Sequence, residues 1–240
     1  MFKRTIGTFH RDFAFWPRFF SPVEQRILLT TALKKLDTLE SVSSRRRRRT
    51  LLRGLPTCVP TPSTSLQDCF LPDECYDFQE GHYDGVIKHY REMHLTSWPS
   101  DVPELPPLLE RLHSLFPSSS QDVQTHLLHL ASKGQIQPHT DNLSASGSWI
   151  LGVSLGDERI LQLNHKNGDG DSFQVSLPSG SVYIQRYHVR SNSNFISDMP
   201  STARDSLRYD YTHSIAGAER DAHSQRLSIM IRDRLPAQNV

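Results

Sequence analysis

Cysteine is scarce in this chain, and the three it has make no framework. Cys58, Cys69 and Cys75 are odd in number and confined to one Pro/Ser-rich stretch, whereas disulfide scaffolds use even sets of cysteines in short secreted chains. A reducing compartment fits that usage. Zinc does not, because Cys69 and Cys75 have no further thiol or imidazole at ligand spacing. No apolar run approaches the about eighteen residues that a membrane-spanning helix needs, and the start lacks the apolar stretch of a secretory signal. An excess of charge of one sign is missing too: 27 Lys and Arg face 26 Asp and Glu. No global field therefore recruits nucleic acid or an anionic surface, and any basic docking site has to be local.

What is present points to one core. With 36% hydrophobic residues over 240 positions, a single domain spanning 1–240 is expected. Within it, residues 1–12 are a candidate targeting segment, because Lys3, Arg4, Arg11 and Arg18 face a lone Asp12, the charge bias of a mitochondrial presequence. Phe13 to Phe20 is dense in aromatics and runs into Ser21-Pro22-Val23-Glu24. Ser as N-cap, Pro at the first helical position and Glu closing a capping box predict a strand followed by a helix. Ile27, Leu28, Ala32, Leu33 and Leu36 give that helix one apolar face.

Residues 41 to 75 turn Ser-rich, then basic at Arg45 to Arg49, then Pro-rich, and 55–72 reads as a surface insertion. The arginine run is either the solvated end of a helix or a patch for nucleic acid or nuclear import. From Tyr76 to Trp98 aromatics and aliphatics are interleaved with charge, and Leu105 to Phe116, with Pro106-Pro107 near its start, is a second apolar-faced helix. After residue 121 the texture becomes β-like. Runs are expected at Val123 to Ala131, Gln135 to His139, Ser148 to Leu155, Ile160 to His165, Ser172 to Leu177, Ser181 to Ile184, Tyr211 to Ile215 and Leu227 to Ile231, divided by Gly, Asn, Asp and Ser. The fold class is mainly β within α+β: an antiparallel sandwich or barrel with helices packed on one side. A further loop insertion is expected at 186–206, which is rich in Ser and Asn.

Chemistry concentrates in the second half. In Pro138-His139-Thr140-Asp141 the histidine and aspartate are two apart on a strand, so both side chains project from one face and can meet one ion. His213, in a later β-like run, is the third candidate. Two imidazoles and one carboxylate on one side of a metal leave positions open for a bidentate co-substrate and dioxygen, the arrangement of non-haem Fe(II). His188, in a Ser/Asn-rich stretch, and His223, three residues before an arginine, are weaker candidates. In Arg226-Leu227-Ser228-Ile229-Met230-Ile231-Arg232, alternation sets Arg226, Ser228, Met230 and Arg232 on one face with Leu227, Ile229 and Ile231 behind. Inward guanidinium groups need anions, and a dicarboxylate supplies them: one end on an Arg clamp, the 2-oxo acid end on iron. Tyr183, after the Pro178-Ser179-Gly180 turn, is either a core tyrosine or a phenol that hydrogen-bonds a carboxylate.

Four segments in order, Gly134 to Asp141, Leu177 to Ile184, Arg208 to Ile215 and Arg226 to Arg232, resemble the AlkB-like 2-oxoglutarate/Fe(II)-dependent dioxygenases, with a mitochondrial member as the nearest likeness. The resemblance runs roughly from Phe9 to Leu235 and is strongest after residue 123. It implies a double-stranded β-helix, or jelly roll, buttressed by N-terminal helices. It also implies a catalytic iron held by His139, Asp141 and His213, a 2-oxoglutarate co-substrate held by Tyr183, Arg226, Ser228 and Arg232, and dioxygen as oxidant. The activity implied is hydroxylation or demethylation of a protein or an RNA in the mitochondrial matrix, with cytoplasm or nucleus as the alternative. Where the repair branch carries Asn-x-Tyr this chain has Leu128-His129-Leu130, and where that branch has Asn after the clamp arginine it has Ser228. No aromatic and basic lid for base extrusion is evident, so duplex DNA is disfavoured. A jelly-roll module that binds a metal or anion and turns nothing over is the reading from another class.

Overall fold

The computed structural model describes residues 12–54, 65–117, 122–141, 147–166, 168, 172–186, 210–217 and 224–234. Residues 1–11 of the candidate targeting segment, 55–64 of the surface insertion, 187–206 of the loop insertion, and with them Cys58, His188 and His223, lie outside the described residues.

A curled ten-stranded antiparallel sheet forms the body. Its strands are β1 (Phe13–Trp16), β2 (Gln79–Gly81), β3 (Ile87–Leu95), β4 (Val123–His139), β5 (Trp149–Gly156), β6 (Arg159–His165), β7 (Phe173–Leu177), β8 (Ser181–Arg186), β9 (Tyr211–Ile215) and β10 (Arg226–Asp233). Three α-helices accompany them among the described residues, α1 (Pro22–Asp37), α2 (Val42–Gly54) and α3 (Leu105–His113). The strand order is β1-β8-β5-β10-β4-β9-β6-β7, with β3 on β4 and β2 on β3.

β4 folds this path into two layers. Its first half pairs with β10 from Val123 to Leu130 and with β3 on the other side, while its end, from Ile136 to His139, pairs with β9. Between the halves the register with β3 jumps from Leu130↔Tyr90 to Gln135↔Lys88. That irregularity needs Gly134, where a Cβ would stand 2.6 Å from the His89 carbonyl oxygen and 2.9 Å from the Ala131 nitrogen. The bend separates a larger sheet (β1, β8, β5, β10, β4, β3, β2) from a smaller one (β4 end, β9, β6, β7), the two layers of a jelly roll. Buried Arg159 pins the bend: its guanidinium donates to the carbonyls of Ser132, Gly134, Ala216 and Ser224, and its charge meets Asp157 at 3.0 Å.

Two apolar clusters follow from strand alternation. Leu227, Ile229 and Ile231 of β10, with Leu151 and Val153 of β5 and Val182 and Ile184 of β8, pack under Leu28, Leu29 and Leu36 of α1 and Leu105 and Leu112 of α3. The opposite faces of the same strands turn inward, where Leu128, Leu130 and Tyr183 meet Leu161, Leu163, Tyr211 and Ile215 of the smaller sheet. The helices therefore buttress one side, as expected. The runs read from sequence correspond to β4 to β10, and β9 has the expected bounds. The interleaved stretch from Tyr76 to Trp98 holds the β2–β3 hairpin. Its alternation is concealed because two sequence neighbours, Tyr90 and Arg91, are both buried. No helix among the described residues is long and apolar enough to cross a membrane.

Arg91 explains that exception. It points to the helix side, where its Nε donates to His129 Nδ1 at 2.9 Å and its Nη1 pairs with Asp37 at 2.9 Å and with buried Glu40. Arg48 of α2 pairs with the same two carboxylates, and both guanidinium groups lie over the Tyr76 ring. Burial and the Arg91 charge hold the fully buried His129 well below the ordinary imidazole range, so it is neutral and its Nε2–H donates to Gln225 Oε1. This network fastens α2 to β3 and β4.

At the start of α1, Ser21 Oγ accepts from the Glu24 nitrogen and the Glu24 carboxylate accepts from the Ser21 nitrogen at 2.7 Å, the reciprocal capping box. The same carboxylate accepts from Arg111 of α3 at 2.8 Å. That bond, with the Ser21 contacts, brings the Glu24 pKa down from 4.5 to about 2. A depressed carboxylate stabilises the fold above its unfolded pKa and loses that contribution as pH falls through the folded one. Glu24→Gln should therefore lower stability by about 1 kcal/mol at pH 7, as loss of a cap does. In urea titrations it should also flatten the loss of stability between pH 4.5 and about 2. An unchanged acid profile would show that the Arg111 contact does not hold the two helices together.

Candidate metal centre

The end of β4 and the middle of β9 meet residue for residue, His139 opposite His213. Their ring centroids are 4.1 Å apart. Asp141 follows two residues later, just past the strand, so period two returns its carboxylate to the face that carries His139. Its Oδ1 lies 3.9 Å from His213 Nε2. One donor atom from each of the three residues falls within 4.8 Å of the others, and all three side chains are half-buried. His139 Nδ1 is 2.9 Å from the Gln137 carbonyl oxygen. A carbonyl only accepts, so Nδ1 carries the proton and Nε2 presents its lone pair, the tautomer a metal takes. Two neutral-type nitrogen donors and a carboxylate suit a divalent first-row metal with open coordination positions.

Deeper between the layers lies a buried cation. Arg226 is 1% exposed. Its Nε donates to Ser154 Oγ at 3.0 Å, while Nη1 is buried with no hydrogen-bond partner among the described residues. Burial brings its pKa down to about 10, since a guanidinium removed from water and lacking an ion-pair partner loses favourable solvation. Ser228 is buried beside it and lies opposite Ser154 in the β10–β5 register. Arg232, two turns of the pleat further along β10, is half-buried, and its Nε also has no hydrogen-bond partner among the described residues. Tyr183 is within electrostatic reach of both sets: burial raises its pKa, and Arg226, Asp141 and Arg232 all act on it electrostatically. Its phenol is therefore protonated at neutral pH and able to donate.

The structure thus brings together on two facing sheets every residue expected from the sequence: His139, Asp141 and His213 at one end, Tyr183, Arg226, Ser228 and Arg232 on the larger sheet. Sequence reasoning missed three contributors. Gly152 lies opposite Tyr183 in register, and a Cβ there would meet the Tyr183 ring, with its hydroxyl at 2.7 Å. Glycine inside the apolar run Leu151-Gly152-Val153 was the available signal, because it marks a close approach in a strand. Ser154 orients Arg226, and Phe13 of β1 stacks on Tyr183 with centroids 5.9 Å apart. Neither leaves a pattern in the sequence. Leu128 and Leu130 fill the inner core, and His129 faces the opposite way, among Phe70, Tyr76 and Phe78.

Comparison with known proteins agrees with this geometry. The 27% identical relatives "Alpha-ketoglutarate-dependent dioxygenase alkB homolog 7, mitochondrial" of Mus musculus and Bos taurus align over 164 residues, 65% of this chain. The alignment spans 65% of the length of each relative. The solved structure of OsALKBH1 shares the fold at 13% identity, with a TM-score of 0.50 over 93% of this chain and 97% of that one. The sequence pattern of the 2OG-Fe(II) oxygenase superfamily matches residues 13–232, a span that holds all three metal donors and the β10 arginines, and the chain belongs to that superfamily.

Proposed function

We propose that this protein is an Fe(II)- and 2-oxoglutarate-dependent dioxygenase whose iron is held by His139, Asp141 and His213. The observation that carries the reading is the pairing of a converged His/Asp/His donor set with a buried Arg226 whose Nη1 has no hydrogen-bond partner among the described residues. A metal alone explains the first and not the second; a dicarboxylate that chelates the metal at one end explains both. When bound, iron with 2-oxoglutarate and dioxygen supplies an oxidant that inserts oxygen into a C–H bond, while the co-substrate leaves as succinate and CO₂.

The chain's own residues bind and orient. Arg226 donates Nη1–H to the distal carboxylate, with Ser154 holding its Nε and so its direction. Ser228 and the Tyr183 hydroxyl add neutral donors, which bind a carboxylate without competing for the metal. Arg232, nearer the rim, offers a further cation to the co-substrate. Leu128, Leu130 and the aliphatic residues of the smaller sheet keep water from the anion site, which strengthens each of these contacts.

The oxidised substrate we assign to a protein side chain or an RNA, hydroxylated or demethylated, and not to duplex DNA. Support comes from the Leu128 and Leu130 core where the repair branch has Asn-x-Tyr. The whole of 1–240 serves as one catalytic domain in this reading. A mitochondrial location is supported by the names of the two relatives and by the basic bias of Lys3, Arg4, Arg11 and Arg18, and within the organelle we assign the chain to the matrix.

Succinate formation from 2-oxoglutarate, measured anaerobically reconstituted with Fe(II) and then exposed to air, should be abolished by His139→Ala; equal turnover in both proteins would end the enzyme reading. Arg226→Lys should raise the 2-oxoglutarate KM about ten- to hundredfold, the loss of a charge-assisted bond, with less effect on kcat. An unchanged KM would place the distal carboxylate elsewhere. Gly152→Val should push the Tyr183 ring out of position and raise the same KM without weakening Fe(II) binding, which calorimetry with the metal alone can check.

A further inference from the structure

The arginine run of the sequence is divided between two faces of α2. Ser44, Arg47, Arg48 and Leu51 recur at helical spacing and form the inner face. Ser44 is buried and bonded to Asp77, Arg47 pairs with Asp77 at 3.2 Å, and Arg48 joins Asp37 and Glu40. The outer face carries Val42, Arg45, Arg46, Arg49, Leu52 and Arg53, again at helical spacing. All of these are exposed. None of its four arginines has an acidic partner among the described residues. α2 contains no Asp or Glu at all, so this stripe is a concentrated local field on a protein whose overall charge is +1.

The stripe is also apolar in a way a merely solvated helix has no use for. Val42 is 59% exposed and Leu52 48%, and Leu39, just before the helix, is 63% exposed. They are three of the six large hydrophobic residues exposed among the described residues. Guanidinium groups bind phosphates through paired N–H donors, and aliphatic side chains beside them gain by entering the headgroup boundary of a bilayer. A nucleic acid would use the arginines but not the aliphatics, and its bases would want aromatic partners, of which α2 has none.

We propose that the outer face of α2 docks this protein on an anionic membrane surface, with Arg45, Arg46, Arg49 and Arg53 on lipid phosphates and Leu39, Val42 and Leu52 at the headgroup boundary. The inner face makes the docking rigid, because the Arg48 and Arg91 network ties α2 to β3 and β4, the same sheet that carries the inward site. The proposal is independent of the dioxygenase reading.

Co-sedimentation of the full chain with phosphatidylcholine vesicles, with and without cardiolipin, tests it. Binding is expected to the cardiolipin vesicles only, weakening with salt as surface charge contacts do. R45Q/R46Q/R49Q/R53Q should lose about fivefold in affinity for each guanidinium removed. Its thermal midpoint should be unchanged, since Arg47 and Arg48 remain. L39S/V42S/L52S should weaken vesicle binding while leaving binding to a structured RNA as it is in the wild type. Equal sedimentation with both vesicle types, or a quadruple variant that binds like the wild type, overturns the proposal. So does vesicle binding that L39S/V42S/L52S leaves intact, which would make the stripe a plain polyanion site of the kind a nucleic acid uses.

Discussion

The site depends on one strand being paired in two sheets at once. β4 sets His139 opposite His213 on β9 and, a dozen residues earlier, sets its inner face against β10, which carries Arg226, Ser228 and Arg232. The candidate metal donors and the β10 arginines are therefore measured from the same backbone. Side chains alternate with a period of two, so a one-residue slip in either ladder would turn His213 or Arg226 to the wrong face. The bend that lets one strand serve both layers is held by Gly134, which has no Cβ to collide with the His89 carbonyl, and by Arg159, whose guanidinium ties together backbone from β4, from the end of β9 and from just before β10. These two residues touch no metal or co-substrate group, yet they fix the distance between the two ends of the site.

The helical layer has a different task. Leu227, Ile229 and Ile231 give β10 an apolar back that α1 and α3 cover, and that support allows its other face to carry arginines. A strand with guanidinium groups on one side and nothing on the other would have no reason to stay buried. Packing these three large aliphatic side chains, each worth roughly 1.5–3 kcal/mol on burial, offsets the cost of holding a desolvated Arg226 in place. Stability on one face of the strand and binding on the other are thus parts of a single arrangement.

How much of this was legible in the sequence follows from what each signal is made of. Alternation in 226–232 and the His-x-Asp spacing depend only on strand periodicity, so the later strands and the candidates His139, Asp141, Arg226, Ser228 and Arg232 on or beside them could be located from residue types. The β2–β3 hairpin was hidden because Arg91 is buried on the helix side for the sake of Asp37, Glu40 and His129, which come from far along the chain. A charged residue in a buried position breaks the pattern that reveals a strand. Ser154, Phe13 and Arg159 were invisible for a related reason: their roles exist only after distant strands meet. Gly152 stood between, since glycine inside an apolar run hints at a close approach without saying what approaches. The arginine run was ambiguous between a helix end and a docking patch because sequence order does not divide inner from outer positions until the helix is docked.

Buried arginine shows how structure and function can be told apart by partners. Arg91, Arg159 and Arg226 are all 5% exposed or less. The charge of Arg91 meets Asp37 and Glu40, and that of Arg159 meets Asp157 with four carbonyl oxygens around its remaining N–H groups. Removing Arg159 would take that donor from four carbonyls, and removing Arg91 would leave Asp37 and Glu40 to Arg48 alone, so both belong to the architecture. Among the described residues Arg226 donates a hydrogen bond to the Ser154 hydroxyl and leaves Nη1 without one. A fold gains nothing from a desolvated cation in that state. Such a residue makes physical sense as a ligand-binding group, and under the proposed function the Tyr183 phenol and the candidate donors His139, Asp141 and His213 say what the other end of that ligand would do: chelate a metal.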